Sequence, residues 1–84
     1  MTATATRLRT LIGDQCDLPA AGITAGTYFA DLPGWSSLVA LRLLSALEEA
    51  FGVSLDLRRY LRIATVAELT DAVTAELDVT GDQR

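Results

Sequence analysis

Two adjacent serines, Ser36 and Ser37, stand where a segment containing glycine and proline gives way to a helical pattern. The N-terminal end of a helix presents free backbone N–H groups and the positive end of the helix dipole, so it favours a phosphate group. Serine is also a common N-cap residue, and this structural role explains most serines at such positions. Because there are two serines, both roles can be filled, with Ser36 as the cap and Ser37 exposed on the first turn.

The chain lacks the residues that most enzymes use for acid–base or metal chemistry. It has no histidine and a single cysteine, Cys16, which excludes a histidine base and zinc sites built from nitrogen and sulfur ligands. The glycines do not form a phosphate-binding loop. Glu48 and Glu49 are neighbours, and neighbouring side chains on a helix point in different directions. We therefore expect no catalytic residues, no metal site and no enzymatic activity.

Length and charge favour a binding or display role. The 84 residues make one domain, expected to span residues 1–84 with an ordered core at about 4–77, and a domain this small has little stability to spare for a deep cleft. A net charge of −4 argues against nucleic acid as a partner. The sequence shows no signal peptide and no membrane span, and its lone cysteine suits a reducing compartment. We expect a cytoplasmic monomer.

The hydrophobic pattern predicts an all-α fold, a small four-helix bundle with three long helices and one short one. The helices are expected at residues 4–17, 37–51, 56–61 and 65–77, with the tail 78–84 frayed. Gly52 is the predicted left-handed cap of the second helix, and Thr65 with Glu68 forms a capping box at the last. A long loop, residues 18–36, joins the first two helices and is expected to be pinned to the core by Ile23, Tyr28, Phe29 and Leu32.

The second predicted helix has two leucines on its polar side. Projected at 100° per residue, the core side collects Ala40, Leu43, Leu44, Leu47, Ala50 and Phe51, and the opposite side collects Arg42, Ser45, Glu48 and Glu49. Leu38 and Leu41 lie on that opposite side. Isolated surface leucines are common and need no explanation. Alternatively, the two leucines are part of a face that binds a partner.

Residues 29–69 resemble the family of acyl and peptidyl carrier proteins. The matching positions are Phe29, Leu32, Gly34, Ser37-Leu38, Leu47-Glu48, Phe51-Gly52-Val53, Thr65-Val66 and Leu69. The serine-leucine pair alone is unspecific, but the ordered set with the correct spacings is specific.

The resemblance implies a four-helix bundle in which Ser37 receives 4′-phosphopantetheine from coenzyme A through a phosphopantetheinyl transferase. Acyl or aminoacyl groups would then be carried as thioesters on this arm, for synthesis of the nonribosomal peptide or polyketide type. The implied partners are an adenylation or acyltransferase type of loading enzyme and later condensing or tailoring enzymes. Leu38, Leu41, Arg42 and Ser45 are the expected partner contacts. Trp35 either contacts the arm or a partner, or packs as a hydrophobic staple against the second helix.

This sequence departs from the family pattern at two positions. Ser36 occupies the place where the family usually has an aspartate, which by analogy helps the transferase to dock. Arg42 lies on a face that is strongly acidic in members of the fatty-acid type. Because of the first departure, an unmodified helical adaptor that binds other proteins is the alternative function.

Overall fold

The computed structural model describes the backbone of residues 3–82 and the side chains of residues 3–77. Four helices form the fold: α1 is Ala3–Cys16, α2 is Ser37–Phe51, α3 is Leu57–Arg62 and α4 is Val66–Asp82. Two short 3₁₀ turns, Ala20–Gly22 and Phe29–Asp31, lie in the loop between α1 and α2. Within residues 3–82 the only β-type pairing is an isolated bridge. The predicted all-α four-helix architecture is confirmed.

Local capping interactions set the ends of α2 and the start of α4. Gly52 has a φ of 67°, and its N–H donates to the Glu48 carbonyl, so α2 ends at the predicted residue. At the start of α4, the Glu68 amide donates to Thr65 Oγ1 at 3.3 Å, and the Thr65 amide donates to Glu68 Oε1 at 3.2 Å. These reciprocal bonds are the predicted capping box.

The far end of α4 differs from the prediction. The helix continues to Asp82 instead of ending at Leu77 with a frayed tail. Residues 78–80 contain no glycine or proline that would stop a helix, and Gly81 comes only in the last turn. The last two residues of the predicted frayed tail lie outside the described residues.

The core is formed by apolar side chains from every helix and from the long loop. Leu8 and Ile12 of α1, Leu43 and Leu47 of α2, and Leu69 of α4 are each completely buried. α1 packs against both α2 and α4. The other core residues are Ile23, Phe29, Leu32, Ala40, Leu44, Val53, Tyr60, Val66 and Val73, while Cys16 is half-buried against them.

The loop between α1 and α2 is held by backbone hydrogen bonds to the segment before α4. The Phe29 amide donates to the Ala64 carbonyl at 2.9 Å, and the Val66 amide donates to the Thr27 carbonyl at 3.0 Å. Tyr28 is 55% exposed, so the expectation that it pins the loop to the core is wrong. Tyr28 has an extended backbone, in which successive side chains point to opposite sides, and Phe29 takes the buried side.

Arg7 of α1 covers the C-terminal end of α2. Its Nη2 donates to the Ala50 carbonyl at 2.9 Å, and its guanidinium carbon lies 4.7 Å from the centre of the Phe51 ring. An arginine near the last carbonyls of a helix satisfies one of them and interacts favourably with the helix dipole. Arg7 therefore ties α1 to α2 at the end of the bundle that lies opposite Ser37.

The different burial of two leucines on α2 predicts different effects on stability. Leu47→Ala should lower the free energy of unfolding by ~2–5 kcal/mol, because it leaves a cavity in the core. Leu41→Ala removes the same atoms from a side chain that is 45% exposed, and the loss should stay within ~0.5 kcal/mol. Urea denaturation of both variants measures the difference. An equal loss for both would show that Leu41 is a packed residue.

Candidate functional site

The two serines at the start of α2 have different structural positions. Ser36 has extended φ and ψ angles of −157° and 172°, and its Oγ accepts a hydrogen bond from the Val39 amide at 3.3 Å. Its carbonyl accepts the first helical bond, from the Ala40 amide. Ser36 is therefore the N-cap, as predicted. Ser37 is the first residue of the helix, and its side chain is exposed.

A tight turn delivers the chain to this cap. The Trp35 amide donates to the Leu32 carbonyl at 3.1 Å, which closes a four-residue turn over Pro33 and Gly34. Gly34 has a φ of 72°, which only glycine adopts readily, and proline before it suits this type of turn. The ring of Trp35 stacks on Phe29, with centroids 5.0 Å apart and planes at 25°. Because Phe29 is a core residue, the stack fixes the turn, and through it the position of Ser36.

A cavity of about 250 Å³ opens beside Ser37, between the start of α2 and α3. Ser37 and Ala40 line its α2 side, and Tyr60 and Leu61 line its α3 side. Ser36, Ile63 and the stacked rings of Phe29 and Trp35 complete the lining. The cavity is therefore walled mainly by apolar and aromatic residues, and its lining residues with hydroxyl groups are the two serines and Tyr60.

Two hydrogen bonds hold α3 beside α2. The buried Tyr60 hydroxyl donates to the Ala40 carbonyl. The Leu55 amide, just before α3, donates to Glu48 Oε2 at 2.9 Å. Burial raises the pKa of Tyr60 well above its usual range, because the phenolate would lose its hydration. Glu48 was expected on the outward polar side of α2, but this bond makes it a half-buried contact between α2 and the segment that leads into α3.

The predicted partner contacts of α2 lie on the outer surface, and Trp35 differs from them. Leu38 is 58% exposed, and Arg42 and Ser45 are exposed as well. With Leu41 they form one outward side of α2, away from the buried Leu43 and Leu47. Trp35 is half-buried in its stack with Phe29 and lines the cavity.

Sequence reasoning missed the contribution of α3. Its sequence, LRRYLR, places one buried residue, Tyr60, among five exposed ones. Leu57 and Leu61 are about as exposed as Leu38 and Leu41. The absence of any acidic residue from this run was visible in the sequence. Its position beside Ser37 was not, because that depends on a hydrogen bond between residues 20 positions apart.

Among the residues that the structure describes, no group of three or more histidine, cysteine, aspartate or glutamate side chains is placed to hold a metal ion. None of the described helices is both long enough and apolar enough to cross a membrane.

Comparison with known proteins agrees with this geometry. Residues 6–73 match the family model described as the phosphopantetheine attachment site. A solved structure of a protein assigned as an acyl carrier protein from Mycobacterium tuberculosis is similar to this chain, with a TM-score of 0.78 and 26% sequence identity. The similarity covers 87% of this chain and 97% of the other. A search of curated proteins gave no match.

The Tyr60 hydroxyl should contribute to stability in a manner that depends on pH. Tyr60→Phe removes the donor to the Ala40 carbonyl and should cost ~0.5–1.5 kcal/mol at pH 7. The pKa of Tyr60 is raised on folding from its unfolded-state value of 10.0. The contribution of the Tyr60 hydroxyl to the free energy of unfolding is therefore complete below pH 10 and is lost as the pH rises above that value. The difference between wild type and Tyr60→Phe should therefore shrink above pH 10.

Urea denaturation at a series of pH values from neutral to alkaline measures this difference. Tyr28→Phe is the matched control, because it removes a hydroxyl from an exposed ring and should change stability by less than ~0.5 kcal/mol. A difference between wild type and Tyr60→Phe that stays constant across the alkaline range would contradict the buried hydrogen bond.

Proposed function

The chain belongs to the family of phosphopantetheine attachment domains, and we propose that Ser37 is the residue that carries its covalent 4′-phosphopantetheine. Carrier domains of this family hold intermediates for other enzymes and do not catalyse reactions themselves. The observation that carries the proposal is the division of roles at the start of α2. Ser36 is engaged as the N-cap, and Ser37 is exposed on the first turn.

The surroundings of Ser37 suit a phosphodiester. The first amides of a helix have no partner within the helix, so those of Ser37 and Leu38 are available to a phosphate on the Ser37 oxygen. The dipole of α2, a helix of 15 residues, adds to this attraction. The exposed position of Ser37 also gives a transferase access to its hydroxyl.

The role of this chain is to present the arm. When bound, the arm supplies a thiol on which acyl or aminoacyl groups are held as thioesters. Ser37 fixes one end of the arm at the edge of the cavity, and the cap and the Phe29–Trp35 stack hold that attachment point in place. The protein contributes position and recognition, and the partner enzymes carry out the chemical steps.

We propose three classes of partner. A phosphopantetheinyl transferase installs the arm, a loading enzyme of the adenylation or acyltransferase type attaches the acyl or aminoacyl group, and condensing or tailoring enzymes act on it afterwards. The exposed Leu38, Leu41, Arg42 and Ser45 lie along the outward side of α2 that begins beside Ser37, and they are the contacts proposed for these enzymes. Nonribosomal peptide or polyketide synthesis is the proposed setting. Residues 52–57, leading to Thr65-Val66, resemble peptidyl carriers, and residues 32–35 resemble discrete acyl carriers.

An unmodified adaptor is the second candidate function. It is favoured by Ser36, which stands where carrier proteins usually have an aspartate, and by the exposed Leu38 and Leu41, which can bind a partner without an arm. The two functions differ in a single observable property, the covalent mass of the protein after exposure to a transferase and coenzyme A.

Modification should depend on Ser37 and not on Ser36. Incubation with coenzyme A, Mg²⁺ and a broad-specificity transferase should add one phosphopantetheine to the wild-type chain, as measured by intact mass. Ser37→Ala should abolish the addition. Ser36→Ala is the matched control: it should cost ~0.5–2 kcal/mol of stability through the lost cap, yet still be modified. Addition to Ser37→Ala would refute the assignment, and no addition to the wild type would favour the adaptor.

The Ser36→Asp variant should be modified faster than the wild type. Aspartate and serine are comparable N-caps, so the free energy of unfolding should change by less than ~1 kcal/mol. If the missing carboxylate weakens docking of the transferase, restoring it should raise the initial rate of modification. The measurement is a time course of intact mass beside a melting curve. An unchanged rate with a large stability change would show that position 36 acts only as a cap.

A further inference from the structure

The exposed side of α3 is composed almost entirely of leucine and arginine. Leu57, Arg58, Leu61 and Arg62 are all exposed, with Arg59 beside them, and only Tyr60 points into the protein. At 100° per residue, Leu57 and Leu61 fall on the side of α3 nearer to Ser37, since Leu61 shares the cavity wall with that serine. Arg58 and Arg62 form the adjoining stripe. We call these four residues the α3 surface.

The basic charge of this surface contrasts with the rest of the chain. α3 carries three arginines and no acidic residue, although the whole chain has a net charge of −4. The nearest carboxylate along the chain is Asp56, which accepts the Arg58 amide at 2.9 Å as the N-cap of α3. Arg59 and Arg62 also border a groove that contains Glu68 and Asp71, so α4 lies across from them.

From this arrangement we infer that the α3 surface docks a partner enzyme through an apolar groove rimmed by carboxylates. The inference rests on the proposed function, because a partner seated on Leu61 would lie beside the cavity that Leu61 and Ser37 both line. Arginine is enriched in protein interfaces, and the buried centre of an interface is more apolar than the rest of the protein surface. The planar guanidinium is suited to paired hydrogen bonds with a carboxylate.

A protein is favoured over other anionic partners by the charge of the whole chain. Nucleic acids and anionic membranes present negative charge over a wide area, and an acidic chain is repelled by such surfaces. The basic patch spans one helix of six residues, so it matches a localised acidic groove.

Two designed peptides test the charge preference. Both are amphipathic helices with leucines on one face; one carries glutamate beside the leucines, and the other carries lysine at the same positions. The unmodified chain, labelled for NMR, is titrated with each. The glutamate peptide should shift the signals of α3, Leu38 and Leu41 and should bind roughly tenfold more tightly than the lysine peptide. Added salt should weaken its binding. Equal affinity for the two peptides would overturn the inference.

Two double variants with the same change in net charge locate the surface. Arg58→Gln/Arg62→Gln should weaken binding of the glutamate peptide roughly tenfold. Ala21→Glu/Thr74→Glu alters exposed positions on other elements and should leave binding unchanged. Melting curves should match that of the wild type for both variants. If both double variants weaken binding equally, net charge and not the α3 surface is responsible, and the inference fails.

Three further measurements separate this inference from other possibilities. Sedimentation with vesicles of phosphatidylcholine and phosphatidylglycerol should show no binding; binding that depends on Arg58 and Arg62 would assign the surface to a membrane. If the wild-type chain self-associates and the Arg58→Gln/Arg62→Gln variant does not, the α3 surface would be assigned to a second copy of the chain. Because Ser37→Ala should bind the glutamate peptide as the wild type does, failure of phosphopantetheine addition and failure of peptide binding can be told apart.

Discussion

The hydrogen bond from the Tyr60 hydroxyl to the Ala40 carbonyl holds α3 against the start of α2. A six-residue helix has almost no stability of its own, because the cost of forming its first turn is recovered only over a longer helix. α3 therefore depends on contacts with the rest of the protein, and Tyr60 is the one residue in it that is buried. The bond between Glu48 and the Leu55 amide fixes the chain just before it. The α3 wall of the cavity and the placement of Leu61 near Ser37 both follow from these contacts.

The parts of the fold that the sequence predicted correctly are those governed by local interactions. Ser36 and Gly52 mark the two ends of α2 through bonds that span only three or four residues. Thr65 and Glu68 likewise interact at a separation of three. Such signals need no knowledge of the rest of the chain, and the 3.6-residue periodicity of α2 separates Leu47 from Leu41 in the same way.

What the sequence did not predict depends on contacts between distant segments. Tyr28 and Phe29 are adjacent aromatic residues, and only the pairing of the loop with residues 64–67 decides which of the two is buried. Glu48 looks like a surface residue on a helical projection until the amide of Leu55 is placed against it. The cavity beside Ser37 was likewise beyond prediction, since its walls come from segments that are far apart in the chain.

The distribution of charge gives the chain different properties at long and short range. The net charge of −4 acts over distances up to the Debye length, about 8 Å at physiological ionic strength, and opposes approach to broad anionic surfaces. At contact distance, a partner docked on the α3 surface as we propose would meet Leu61 and the arginines of α3. The attraction of those arginines to a carboxylate is short-ranged and directional. In such docking, repulsion from unsuitable partners and attraction to a shaped groove would act together, and specificity would be the difference between them. A uniformly basic chain would bind acidic surfaces more tightly but would discriminate less among them.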